Sequence, residues 1–134
     1  FKSFWDKYEQ VDLVAVPVNT VGVMGAGLAK AIWAKMTRED ILEYFKLCQS
    51  SLPGDSKLGS SKFIFCFTKK HWKDNSQITW IENCLKNLIP ISNSEKTLLL
   101  PRLGAGLGGL NPSIVDALIA KYKPLMKWKE VFLT

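Results

Sequence analysis

Residues 12–28 read DLVAVPVNTVGVMGAGL. The first eight, DLVAVPVN, form an almost unbroken apolar run, the pattern of a strand buried on both faces of a mostly parallel sheet. Pro17 stands against that reading, because proline cannot donate to a ladder and is normally kept out of central strands. The run breaks at the glycines of residues 22–27, and residues 28–36 then read as a helix. Strand, glycine loop and helix in this order open a βαβ unit, and the rest of the chain continues the alternation.

Residues 38–50 give a second amphipathic helix with Ile41, Leu42, Phe45 and Leu47 as its apolar stripe. Residues 51–61 hold two glycines, a proline and four serines and read as loop. Residues 62–68, KFIFCFT, have the aromatic and β-branched content of a strand. Ile78, Ile81, Leu85 and Leu88 recur at helical spacing within residues 76–89, and residues 97–100 form a short buried strand. Asn111 and Pro112 supply an N-cap and a first-turn proline for a helix over residues 112–123. A short strand closes the chain at residues 130–134. At the other end, residues 1–10 carry Phe4, Trp5 and Tyr8 at helical spacing, with no recognisable first strand. One α/β domain over residues 1–134 is expected, built on a largely parallel sheet.

The tetrapeptide GAGL occurs at residues 25–28 and again at 104–107, each time after a buried strand and shortly before a helix. In an open α/β sheet such loops gather at the carboxyl edge, where ligands bind. Glycines there let backbone N–H groups approach a phosphate, and a following helix N-terminus favours negative charge. Two such loops suit a diphosphate. Gly104, Gly106 and Gly109 also fit GxGxxG, but a dinucleotide site needs an acidic residue after the next strand. Here Glu130 precedes the final strand. The GxxxxGK[ST] pattern of nucleotide hydrolases is absent.

With 18 basic and 12 acidic residues the net charge is +6, which favours anionic partners such as nucleic acid or a phosphorylated ligand. Cys48, Cys66 and Cys84 form no CxxC pair, and His71 is the single histidine. A four-ligand zinc site therefore has little support, and three buried reduced thiols of a cytoplasmic protein are expected. No metal or cofactor is expected. No apolar run approaches the roughly 20 residues that span a bilayer, so no membrane partner is expected. The chain has no GxSxG elbow for nucleophilic serine chemistry and no evident carboxylate pair for glycoside hydrolysis.

VNTVGVMGAGLAKA at residues 18–31 and LPRLGAGLGGL at 100–110 resemble the two ligand loops of macro domains. TKKHW at 68–72 is similar to a segment of one branch of that family. The branch contains the DarG-type DNA ADP-ribosyl glycohydrolases, antitoxins that remove ADP-ribose from thymidine, and a human hydrolase that removes it from protein glutamate. The resemblance runs over about residues 11–134 and implies a three-layer α/β/α fold around a mixed, mostly parallel sheet. It implies ADP-ribose as ligand, with Asn19 on the distal ribose. Thr20, Val23, Met24, Gly25, Ala26, Gly27 and Leu28 would form the loop around ribose and diphosphate. Leu103, Gly104, Ala105, Gly106, Leu107 and Gly108 would form the loop that gives N–H donors to the phosphates, with Thr68 beside it. Lys69 would match the branch's catalytic lysine.

Two departures accompany the match. The human relative has an aspartate where this chain has Gly108, whereas DarG-like proteins carry glycine. The family's adenine-binding aspartate sits in a Gly-Asp pair at the end of an early strand, and no such pair precedes Asp12. That contact, or the whole first strand, is expected to be missing from these residues.

An uncharged lysine can attack the anomeric carbon of attached ADP-ribose and pass through a Schiff-base-type intermediate. A charged lysine can instead stabilise the leaving group. Both remain open for Lys69 at this point. Lys69, Lys70, His71, Trp72 and Lys73 interleave cations with aromatic rings, a combination suited to single-stranded DNA, and they offer a place for a base to dock. The alternative is a solvated loop anchored by one tryptophan. Lys121, Lys123, Lys127 and Lys129 read as solvated surface. The leading expectation is an ADP-ribosyl glycohydrolase acting on DNA, with a cognate ADP-ribosyltransferase toxin as a partner. The competing expectations are an ADP-ribose 1″-phosphate phosphatase and a silent binder of ADP-ribose.

Overall fold

The computed structural model describes residues 2–134. The elements run α1 (Lys2–Tyr8), β1 (Leu13–Asn19), α2 (Gly27–Trp33), α3 (Arg38–Cys48), β2 (Ser56–Leu58), β3 (Phe63–Lys69), α4 (Ile78–Ile91), β4 (Thr97–Leu100), α5 (Pro112–Tyr122), a 3-10 turn (Lys123–Leu125) and β5 (Glu130–Leu133). The sheet order is β2-β3-β1-β4-β5. Only β2 is antiparallel to its neighbour; the other pairings are parallel, so the sheet is mixed and mostly parallel as expected.

Alternation along the strands sorts the core onto two faces. Val14, Val16 and Val18 of β1 join Phe63, Phe65 and Phe67 of β3 under α1, α2 and α3. Ala15, Ile64 and Cys66 face the other way, against Ile81, Leu85 and Leu88 of α4 and Val115 and Ile119 of α5. Both faces are covered by helices, which gives three layers and explains why β1 and β3 read as continuous apolar runs.

Pro17 sits in the central strand without harm because of the direction in which its missing donor would point. Val14 N donates to Lys62 O, so the even-numbered amides of β1 face β3 and the odd-numbered positions face β4. The β1–β4 ladder pairs only Leu13 with Leu98 and Val14 with Leu99. By residue 17 the two strands have parted, and no ladder bond is lost.

Three local expectations are corrected. Ser56–Leu58, read as loop, is a strand paired with Ile64–Cys66 of β3; Ser56 is buried there and donates through its hydroxyl to the Cys84 carbonyl. On α3, Leu42 and Phe45 of the expected stripe are exposed, and the buried positions are Asp40 and Tyr44. Polar groups are tolerated on that face because each finds partners: Tyr44 donates to the Asn19 carbonyl, and Asp40 closes a reciprocal cap with Thr37. Cys48 is only half-buried, unlike Cys66 and Cys84. Burial pushes the Cys66 thiol up to about 12 and Cys84 well above its ordinary value, which keeps both protonated and unreactive.

Candidate functional site

From β1 the chain reaches β3 on one side and then β4 on the other. β1 and β4 therefore flank a topological switch point, where their carboxyl ends part and leave a crevice. A cleft of about 1440 Å³ opens there. Its walls are the two glycine loops, with Lys69 and Trp72 at one side and Ser3, Phe4 and Thr134 also lining it.

Asn19, at the end of β1, organises the first loop. It is buried; its Nδ2 donates to Val23 O at 2.7 Å, and its Oδ1 accepts from Val21 N at 3.1 Å and Val23 N at 3.3 Å. Its carbonyl accepts the Tyr44 hydroxyl at 2.9 Å. The side chain assigned to the distal ribose thus already holds the loop in shape, with one Nδ2 hydrogen left over. Thr20 is also used internally, since its hydroxyl donates to Lys70 O at 2.9 Å. Helix α2 then starts at Gly27 in the left-handed region, φ +62°, with no side-chain cap from Ala26. Its first-turn amides have no intrahelical acceptor, and the cleft is lined by Gly27, Leu28 and Ala29.

The second loop is a tight coil closed on itself. Leu110 N donates to Gly104 O, Gly109 N to Gly106 O, and Ser76 N fastens the Gly108 carbonyl at 2.8 Å. Gly104 has φ +77°. A Cβ on Gly108 would lie 2.3 Å from the Gly104 oxygen, so no side chain fits there in this conformation. Gly106 has open space around it. Among the described residues the amides of Gly106, Leu107 and Gly108 donate to no protein acceptor, and all three residues line the cleft. The loops approach one another through Leu107, whose Cδ1 would meet a Cβ on Gly27 at 3.0 Å.

Lys69 joins the two walls. The β1–β3 register slips at this point: Val18 pairs with Phe67, but Asn19 pairs with Lys69. Thr68 is the extra residue of this bulge, which sets Lys69 beside Asn19 at the cleft. Lys69 Nζ donates to Leu107 O at 3.1 Å and to Trp72 O at 3.3 Å. Partial burial lowers its pKa, and the carboxylate of Asp74 opposes that shift.

Of the residues expected from sequence, Asn19, Val23, Gly25, Ala26, Gly27, Leu28, Thr68, Lys69, Gly104, Ala105, Gly106, Leu107 and Gly108 line one cleft. Thr20, Met24 and Leu103 do not: the Thr20 hydroxyl is bound to the Lys70 carbonyl, and the side chains of Met24 and Leu103 belong to the two cores behind the loops. Sequence reading missed Pro17, Val18, Pro101 and Arg102, which reach the cleft only because β1 and β4 part. Their residue types carry no signal; the signal is the strand order.

The fold and the cleft define an α/β/α ligand-binding module, with two glycine loops facing each other across a strand switch point. The chain belongs to the macro domain family: residues 15–119 match the family described as Macro domain. It is 34% identical over 140 residues to the DNA ADP-ribosyl transferase-DNA ADP-ribosyl glycohydrolase fusion protein of Thermosipho africanus, covering 86% of this chain and 36% of that protein. It is 33% identical over 111 residues to the DNA ADP-ribosyl glycohydrolase of Thermus aquaticus, covering 75% of this chain and 31% of that one. Among solved structures, the macrodomain of Thermus aquaticus DarG superposes with a TM-score of 0.80 at 29% identity, covering 92% of this chain and 88% of the other. Thermosipho africanus DarTG in complex with ADP-ribose gives 0.75 at 28% identity, covering 95% and 39%. The chain spans about a third of the length of the curated relatives it matches.

Proposed function

We propose that this chain binds ADP-ribose in the cleft and removes it from thymidine in DNA. The observation that carries the reading is the placement of Lys69 Nζ, which touches the Leu107 carbonyl while the free amides of Gly106, Leu107 and Gly108 line the same cleft. A diphosphate held by those amides and by the first turn of α2 would set its distal ribose against Asn19 and Lys69. The relatives named as DNA ADP-ribosyl glycohydrolases support the reaction class.

Burial lowers the pKa of Lys69, the direction that a nucleophilic role requires. Its lone pair attacks the anomeric carbon, and the bond from that carbon to the thymine nitrogen breaks. The electron pair leaves on the base, which takes up a proton. Ring opening gives a Schiff base to Lys69, and water then releases ADP-ribose and regenerates the amine. The hydrogen bonds to two carbonyls hold Nζ in place for this attack. Gly108 brings no carboxyl to this point, and Asp74 acts on Lys69 through its charge. The proton the base takes up is balanced by the one Lys69 loses as its nitrogen bonds to carbon.

A cytoplasmic location and a cognate ADP-ribosyltransferase partner belong to the same proposal; the fusion relative, by its name, joins the two activities in one chain. The test is release of ADP-ribose from a single-stranded oligonucleotide bearing ADP-ribosyl thymidine. Turnover supports the proposal. Release of phosphate from ADP-ribose 1″-phosphate without turnover of the oligonucleotide would favour the phosphatase, and neither activity would leave a binder.

A further inference from the structure

Trp72 belongs to neither core cluster, and 48% of it is exposed. An indole that anchored its loop would be buried, so the anchoring role considered from sequence does not hold. Trp72 is instead half-exposed and among the residues that line the cleft, where the other aromatic residue, Phe4, is only 2% exposed. The turn that carries Trp72 is well fastened. Thr20 binds the Lys70 carbonyl through its hydroxyl, and Asp74 N donates to His71 O at 3.0 Å. Lys73 N donates to His71 Nδ1 at 3.1 Å, and the imidazole stacks on the indole with centroids 5.7 Å apart and planes at 27°. Lys73 Nζ lies 5.1 Å from the indole centroid.

We propose that the Trp72 indole is the stacking platform for the nucleobase that carries ADP-ribose, and so selects single-stranded nucleic acid as the acceptor. This deepens the proposed function and rests on it. The Trp72 carbonyl accepts from Lys69 Nζ at 3.3 Å, so the amine and the tryptophan that carries the indole belong to one four-residue segment. The base is bonded directly to the anomeric carbon that Lys69 addresses, so it comes to lie beside this ring. Stacking accepts any base through its π-face, and flanking cations take the phosphates. Lys73 Nζ, 5.1 Å from the ring centroid, is the cation placed for that purpose. A glutamate acceptor offers no flat face to the indole, and free ADP-ribose leaves the platform empty.

The experiment compares Trp72→Ala and Trp72→Phe with the unaltered chain on two ligands. Trp72→Ala is expected to raise KM for the ADP-ribosyl-thymidine oligonucleotide about tenfold or more, with Trp72→Phe recovering most of the loss. The Kd for free ADP-ribose, by calorimetry, is expected to stay within about twofold in both. An equal loss for free ADP-ribose, or turnover of the oligonucleotide unaffected by Trp72→Ala, overturns the inference while leaving the glycohydrolase reading intact. If the unaltered chain does not turn the oligonucleotide over, the glycohydrolase reading fails by itself. Binding then decides the platform: the modified oligonucleotide must bind more tightly than free ADP-ribose, and that advantage must vanish in Trp72→Ala. Equal affinity for the two ligands overturns it.

Discussion

Lys69 Nζ and the Leu107 carbonyl oxygen are 3.1 Å apart, joined by a hydrogen bond that links strand β3 to the second glycine loop across 38 positions of sequence. The bond fixes the last residue of β3 against the wall whose unbonded amides belong to residues lining the cleft. It also means that Lys69, while lining the cleft, is held by the loop.

Lys69→Ala is therefore expected to abolish release of ADP-ribose, lowering kcat about 100-fold or more. Affinity for free ADP-ribose should change only a few-fold if, as proposed, backbone amides are the phosphate donors. Calorimetry and single-turnover assays on the same preparation check both halves. A variant that still turns over at the original rate would remove Lys69 from the mechanism.

The pH profile separates the two roles of that lysine. Partial burial lowers its pKa, and Asp74 limits the shift. As a nucleophile it must be neutral, so kcat should rise with pH and level off above an inflection lying below the ordinary lysine value. Were it to act as a cation on the leaving group, kcat would fall through the same inflection.

Gly108→Asp is expected to damage the site rather than complete it. The new Cβ would stand 2.3 Å from the Gly104 oxygen, so the loop must shift and its amides lose their aim. ADP-ribose affinity and Tm should both fall. Gly106→Ala is the contrasting case: no atom lies within 4 Å of the added carbon, so Tm should hold while ligand binding weakens about tenfold as the methyl enters the cleft.

How much of this was legible from sequence follows the physics of each part. The runs of β1 and β3 were plain because both faces are apolar. The second glycine loop was plain because Gly104 takes a positive φ and at Gly108 the backbone leaves no room for a side chain. Strand β2 was hidden: three residues in serine- and glycine-rich composition carry no periodicity, and β3 imposes their pairing. The stripe on α3 misled because exposure of Leu42 and Phe45 and burial of Tyr44 depend on where Asn19 presents its carbonyl. Pro17 counted against a central strand until the parting of β1 and β4 showed that its missing donor faces the cleft.

The cap of α3 gives a stability test. Burial pushes the Asp40 carboxyl up, but hydrogen bonds from the Ser61 hydroxyl at 2.6 Å and from Thr37 outweigh it, and the pKa lies below the ordinary carboxylate value. A depressed carboxylate contributes stability above its unfolded pKa and loses it as pH falls through the folded one. Asp40→Ala should lower stability at neutral pH by about 1–2 kcal/mol. Chemical denaturation should show the gap to the unaltered chain narrowing below the ordinary carboxylate pKa. A gap that persists in acid would mean that the packing of Asp40, rather than its charge, supplies the stability.

Chromatographic detection of ADP-ribose released from a single-stranded oligonucleotide carrying ADP-ribosyl thymidine decides whether the chain is a glycohydrolase. Multiple turnovers are expected with the intact chain and none with Lys69→Ala. A folded protein that binds ADP-ribose but leaves the oligonucleotide unchanged would contradict the glycohydrolase reading.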